Sequence, residues 1–167
     1  MAIPSENLVI TGFMGTGKST IGKKIAVKLK REFVDTDAEI VSRAGMSIPE
    51  IFEQQGEKAF RLMETEICRE LAQREGLVIS TGGGMLVNEE NRELLGSSGF
   101  IVCLIASPEA LEKRLLGAKG RPLAGQWREL YEKRLPIYKA LPIQVDTSNR
   151  TPDSVVQEIL QRWSSSR

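Results

Sequence analysis

Gly12-Phe13-Met14-Gly15-Thr16-Gly17-Lys18-Ser19 matches the pattern GxxxxGK[ST] at every fixed position, and its reading decides the fold. The apolar run Leu8-Val9-Ile10 stands before it, and Ile21, Ile25 and Leu29 follow at i, i+4, i+8 as one helical stripe. A glycine-rich turn between a strand and a helix lets successive backbone N–H groups converge on a phosphate, and the helix adds its positive N-terminal end. Lys18 has the reach for β- and γ-phosphates, and the Ser19 hydroxyl is a ligand suited to Mg²⁺. A plain strand-to-helix turn that happens to carry Lys-Ser is the competing reading, and the strand and helix context weighs against it.

Working outward, Leu77-Val78-Ile79 and Ile101-Val102-Cys103-Leu104-Ile105 are continuous apolar runs like the first. Unbroken rather than alternating runs suit strands of a parallel sheet buried on both faces. Phe33-Val34 and Ile143-Gln144-Val145 are weaker candidates, placed by what flanks them. Helix starts are marked by Ser47 and Glu50 at capping-box spacing, and by Ser107-Pro108 and Thr151-Pro152, each a hydroxyl before a proline. The last of these opens a helix with Val155, Val156, Ile159, Leu160 and Trp163 on one side, and Ser164–Arg167 reads as a frayed tail. The alternation predicts a three-layer α/β/α arrangement around a five-stranded parallel sheet. The 167 residues suit one domain, 1–167, with no repeat or linker. Residues 117–125, rich in Gly and basic side chains, are a candidate lid.

Composition removes several function classes. Lys plus Arg number 23 against 22 Asp plus Glu, a net charge of +1, which gives no reason to expect a nucleic acid or an acidic membrane as partner. The chain has no His, so His-based triads, bases and zinc sites are excluded. Cys68 and Cys103 lack CxxC spacing and read as reduced core thiols. The N-terminus lacks an export pattern and no run is long enough for a membrane span, so the expected location is the cytoplasm. The phosphate loop alone names a nucleotide and not a reaction. The chain is short for most ATPase machines, and the absence of Asn-Lys-x-Asp weighs against a GTPase.

Asp35-Thr36-Asp37 follows Phe33-Val34, at the carboxyl end of a strand where open α/β sheets place ligands. Alternation along an extended segment would point both carboxylates the same way, Asp35 toward the metal shell and Asp37 toward an acceptor hydroxyl. A helix N-cap is the competing reading for either one. Thr81-Gly82-Gly83-Gly84 ends the third strand, and close approach of a ligand to the backbone explains three glycines better than a plain loop does. Arg61 and Arg134 carry the planar fork that matches a carboxylate, and Arg121 in the lid could close over the triphosphate, helped by Arg114. Arg150 lies where it could flank the adenine. Taken singly, Arg61 and Arg134 each read more readily as solvated helix residues, and spacing does not show that they converge.

Together these pieces resemble the shikimate kinase family over nearly the whole chain. The resemblance rests on residues 12–20, on Asp35-Thr36-Asp37, on Phe60-Arg61 with Glu64, on Gly82-Gly83-Gly84, on Arg121-Pro122-Leu123, and on Arg134 with Pro136 and Tyr138. It implies a nucleoside-monophosphate-kinase-like P-loop fold with a lid and a substrate-binding helical segment, here about 36–65. It implies transfer of the γ-phosphoryl of MgATP to the 3-hydroxyl of shikimate, on the way to chorismate and the aromatic amino acids; a monomer is the expected state, though the sequence itself does not give it. Carried over by position, Gly15, Thr16, Gly17, Lys18, Ser19, Thr20, Arg114, Arg121 and Arg150 bind ATP. Ser19 and Asp35 serve the metal. Asp37, Arg61, Gly82, Gly83, Gly84 and Arg134 bind shikimate, the two arginines on its carboxylate, and Lys18, Asp37 and Arg121 carry the catalysis. Between Arg121 and Arg134 the chain is several residues shorter than the family pattern, so the lid is clipped. A kinase for another hydroxy acid, such as gluconate, is the nearest rival; a regulatory module that binds ATP without turning over a hydroxyl compound is the rival of another class.

Overall fold

A computed structural model describes residues 4–116 and 126–166. All five apolar runs are strands: β1 (Asn7–Gly12), β2 (Glu32–Asp35), β3 (Leu77–Ser80), β4 (Gly99–Ile105) and β5 (Gln144–Asp146). They form one parallel sheet in the order β2-β3-β1-β4-β5. The sheet is covered on both sides, which is why its strands are apolar without alternation. Leu8 and Ile10 face a cluster with Ile21, Ile25, Val155, Val156 and Ile159. Their neighbour Val9 belongs to the opposite cluster, with Ile51, Phe60, Ile67, Leu95 and Leu111. Leu8, Val9 and Ile10 are all fully buried.

The helices are α1 (Lys18–Leu29), α2 (Thr36–Ala44), α3 (Ile48–Leu71), α4 (Glu89–Ser98), α5 (Pro108–Leu116), α6 (Trp127–Ala140) and α7 (Pro152–Ser165). The expected caps are in place. The Ser47 hydroxyl accepts from Glu50 N while the Ser47 amide donates to the Glu50 carboxylate, and Thr151 accepts from Ser154 N. One expectation changes. The tail is helical through Ser165, with the Ser164 and Ser165 hydroxyls donating to the carbonyls of Leu160 and Gln161. Helix α3 is bent at Gly56 (φ 85°, ψ 166°), a backbone region open essentially to glycine alone. Ahead of the bend the helix buries Ile51; beyond it the helix buries Phe60, Glu64 and Ile67.

Cys68 and Cys103 are buried free thiols, and burial pushes both up to about 12, so neither is a ready nucleophile at neutral pH. Among the described residues no helix is long and apolar enough to cross a membrane.

Candidate active site

The loop between β1 and α1 is held by one carbonyl. Phe13 O accepts from Thr16 N at 3.3 Å, from the Thr16 hydroxyl at 2.6 Å and from Lys18 Nζ at 2.9 Å. Gly15 and Gly17 adopt φ values of 78° and 96°, which a side chain would oppose, and so turn the chain into α1. The loop, with Lys18, Ser19 and Thr20, forms one wall of a cavity of about 720 Å³ at the carboxyl end of the sheet. Asp35, Asp37, Ile48, Pro49, Gly83, Arg114 and Arg134 line the remainder.

Asp35 and Asp37 reach that cavity by a route other than strand alternation. The strand ends at Asp35 and the chain turns at once into α2, with Asp35 as its N-cap accepting from Ala38 N at 3.1 Å. The other Asp35 oxygen accepts from the Ser19 hydroxyl at 3.1 Å, so the residue serves both readings: it caps a helix and faces the phosphate loop. Asp37 sits in the first turn of α2, and its Oδ1 is buried with no hydrogen-bond partner among the described residues. Burial raises its pKa, reinforced by the Asp35 charge and opposed by Lys18, Arg61 and Arg134. A buried carboxylate oxygen within the field of three cations and left unpaired is suited to receive a donor from outside the chain.

The three glycines make room for these side chains. A Cβ at Gly82 would lie 2.5 Å from Asp37 Oδ1. One at Gly84 would lie 2.8 Å from Arg61 Nη1 and 2.9 Å from Arg134 Nη2. Arg61 from α3 and Arg134 from α6 therefore converge on one glycine, which sequence spacing alone does not reveal. Glu64, only 1% exposed, holds Arg61 at 2.7 Å; burial raises the Glu64 carboxyl and the Arg61 hydrogen bond and charge oppose that rise. Arg134 lies over the Phe13 ring at 6.0 Å. Glu64, Phe13 and the Tyr138 hydroxyl, which donates to Gly83 O at 2.6 Å, are site components that the residue-by-residue reading left without a role. The spacing of Arg61 and Glu64 at i, i+3 was a usable signal for the first.

On the far side of the loop, Arg114 donates to Gly15 O at 3.0 Å and to the Thr147 hydroxyl and carbonyl at 3.0 and 2.7 Å. It braces the phosphate loop against the strand-β5 end of the sheet. A second cavity, about 270 Å³, is lined by Thr16, Gly17, Thr20, Arg114, Thr147 and Arg150 together with Pro152 and Val155. The Arg150 guanidinium there is engaged by Glu158 at 2.6 Å and by the carbonyls of Asp146 and Ser154. It can form a wall for a flat base while its charge is spent on α7. The candidate lid 117–125, Arg121 included, lies outside the described residues.

The site thus places a phosphate loop beside an unpaired carboxylate and a paired guanidinium clamp. The family model described as shikimate kinase matches residues 14–164. A shikimate kinase of Pelotomaculum thermopropionicum is 43% identical over 161 residues, covering 93% of this chain and 94% of that one. The chain belongs to the shikimate kinase family. A relative from Geobacter sulfurreducens carrying the same description is 44% identical over 167 residues, covering 95% of this chain and 92% of its own. The shikimate kinase of Acinetobacter baumannii, solved in complex with shikimate, superposes with a TM-score of 0.88 at 36% identity, covering 98% of this chain and 95% of its own. These family relatives match over nearly the whole chain, and the α/β fold with a five-stranded parallel sheet expected from the sequence is the fold observed.

Proposed function

We propose that this member of the shikimate kinase family transfers the γ-phosphoryl group of ATP to the 3-hydroxyl of shikimate, giving shikimate 3-phosphate and ADP on the way to chorismate and the aromatic amino acids. The observation that carries the reading is the meeting of Arg61 and Arg134 at Gly84, with Arg134 also lining the cavity that holds Lys18 and Asp37, whose Oδ1 is unpaired. A hydroxyl acceptor that is also a carboxylate fits that set. Gluconate is an anion too, and the family match favours shikimate over it.

The backbone of Gly15, Thr16 and Gly17 cradles the phosphates, and Lys18 leaves Phe13 O to neutralise the β- and γ-oxygens as the bond to the leaving ADP breaks. Thr20 and Arg114 complete the phosphate wall, and Arg150 flanks the base in the second cavity. Arg61 and Arg134 hold the carboxylate of shikimate against Gly83 and Gly84, while Gly82 leaves space for Asp37. Asp37 orients the 3-hydroxyl and takes its proton as the oxygen attacks phosphorus, a role worth about a hundredfold or more. Arg121, in the short lid 117–125, adds positive charge to the transferring group, and segment 36–65 carries the acceptor side.

The Ser19–Asp35 pair fits Mg²⁺: the Ser19 hydroxyl and the Asp35 carboxylate, 3.1 Å apart beside Lys18, are two hard oxygens. Mg²⁺ usually takes one or two protein oxygens and leaves its other positions to phosphate and water. Ser19 and Asp35 would hold the ion, which draws charge from the phosphate oxygens. The chain works as one domain, 1–167, as a monomer in the cytoplasm.

Product formation from ATP with shikimate, with gluconate and with no acceptor tests this reading. Phosphorylation of shikimate well above both others is the expected result. Equal rates with gluconate, or ATP binding without turnover of any acceptor, would overturn it.

A further inference from the structure

We propose that Tyr138 is a positioning residue for the acceptor's carboxylate, its hydroxyl tethering the Gly83 carbonyl so that the glycine loop stays in register with helix α6 and with the Arg134 guanidinium that rests against it. The inference rests on the proposed carboxylate site.

Tyr138 follows Arg134 by four residues, so the two side chains share one face of α6. The phenol donates to Gly83 O at 2.6 Å. A hydroxyl has one proton, so once that proton is given to Gly83 its lone pairs are left to accept. The Arg134 guanidinium stands close enough for its charge to act on the same hydroxyl, opposing the rise that burial brings. The third side of the triangle is also short, since a Cβ at Gly83 would stand 3.2 Å from Arg134 Nη1. The hydroxyl thus fixes the carbonyl of the glycine against which the guanidinium rests. The phenol is 1% exposed, and burial pushes its pKa up to about 12, so the proton stays in place throughout the neutral range.

Filling the core would not by itself require this hydroxyl, because the ring makes the apolar contacts and phenylalanine has the same ring. Helix α6 supplies a matched control. Tyr131 is also buried, and its hydroxyl also donates to a carbonyl, that of Ala106 at 3.3 Å. Its ring packs edge-on against Phe13 at 5.2 Å, but its hydroxyl is turned to Ala106 instead of to the Gly83–Arg134 pair. Removing the hydroxyl at Tyr138 strands a buried carbonyl and loosens the glycine against which the guanidinium rests; removing it at Tyr131 strands a carbonyl alone.

The test measures dissociation constants for shikimate and, separately, for ATP. The proteins are the parent, Tyr138→Phe, Tyr131→Phe, Arg134→Ala and the Tyr138→Phe/Arg134→Ala double variant. All are compared well below their own melting midpoints, so that lost stability does not count as lost binding. Tyr138→Phe is expected to weaken shikimate binding about three- to tenfold, with ATP and Tyr131→Phe little changed. The loss should vanish in the Arg134→Ala background, because the hydroxyl acts through that guanidinium. Equal weakening of both substrates, an equal effect from Tyr131→Phe, or a full loss persisting without Arg134 would each overturn the inference. If Arg134→Ala itself binds shikimate as the parent does, the carboxylate site is misplaced and the inference falls with it.

Discussion

Replacing Gly84 by alanine should cost acceptor affinity while leaving the fold and the nucleotide site nearly untouched. The backbone there (φ −96°, ψ −5°) is open to any residue, so the methyl brings no dihedral strain. It brings a clash, at 2.8 Å from Arg61 Nη1, 2.9 Å from Arg134 Nη2 and 3.0 Å from Arg61 Nη2. Non-bonded contacts are comfortable from about 3.5 Å, so both guanidiniums must retreat by roughly half an ångström or more. Both are the ends of flexible side chains, so they yield and the backbone does not. A charge-assisted hydrogen bond is worth roughly 1.5–3 kcal/mol, and losing one such contact weakens binding about tenfold to a hundredfold. Losing part of each gives a similar sum, since neighbouring terms do not simply add. Calorimetric titration with shikimate and with ATP, beside a thermal melt, reads all three quantities. Unchanged shikimate affinity in the folded variant would refute the reasoning, because the clamp could not then stand where these distances put it. A large loss of stability would refute it too, by showing that the methyl met something that could not move.

Other substitutions separate the remaining roles. Lys18→Ala should abolish phosphoryl transfer with little change in melting temperature; near-normal turnover in steady-state assays would remove Lys18 from the reaction. Asp37→Asn should lower turnover about a hundredfold or more while ATP affinity holds, and an equal loss of both in paired kinetic and binding measurements would move Asp37 into the metal shell. The same variant should melt higher than the parent at neutral pH. Burial raises the Asp37 pKa, so the folded state favours the protonated carboxyl and stability is lost as pH rises through the folded value. The gain from Asn should therefore fade on acidification below that value toward the ordinary carboxylate range, as melts across pH would reveal. Gly56→Ala meets no neighbouring atom, yet should cost on the order of 1–3 kcal/mol in denaturant unfolding, because its φ of 85° and ψ of 166° exclude a side chain.

The parallel sheet was legible because burial on both faces leaves an unbroken apolar run, and the caps were legible because each is local. Helix α2 was harder to read: Asp35-Thr36-Asp37 fits the end of a strand as well as the start of a helix, and the turn comes between the two carboxylates. The clamp was harder still. Arg61 and Arg134 lie far apart in the chain, and their meeting depends on where α3 and α6 cross the carboxyl end of β3. No periodicity encodes that crossing. The space the glycines leave became meaningful only once their neighbours were known. Arg150 shows the reverse, since a basic residue in a loop does not reveal that Glu158, two turns along α7, already holds it.

The bend at Gly56 divides α3, proposed to carry the acceptor side, into two rods that share one joint. Ile48 and Pro49 on the first rod touch the body of whatever fills the cavity, while Arg61 on the second is locked to the core through Glu64. A substitution that tilts or trims the first rod should be absorbed at the joint, because the guanidinium is anchored beyond it. Selection on ring shape and selection on charge can thus act on separate stretches of one helix, and the wall can drift toward a differently shaped acid without rebuilding its anchor.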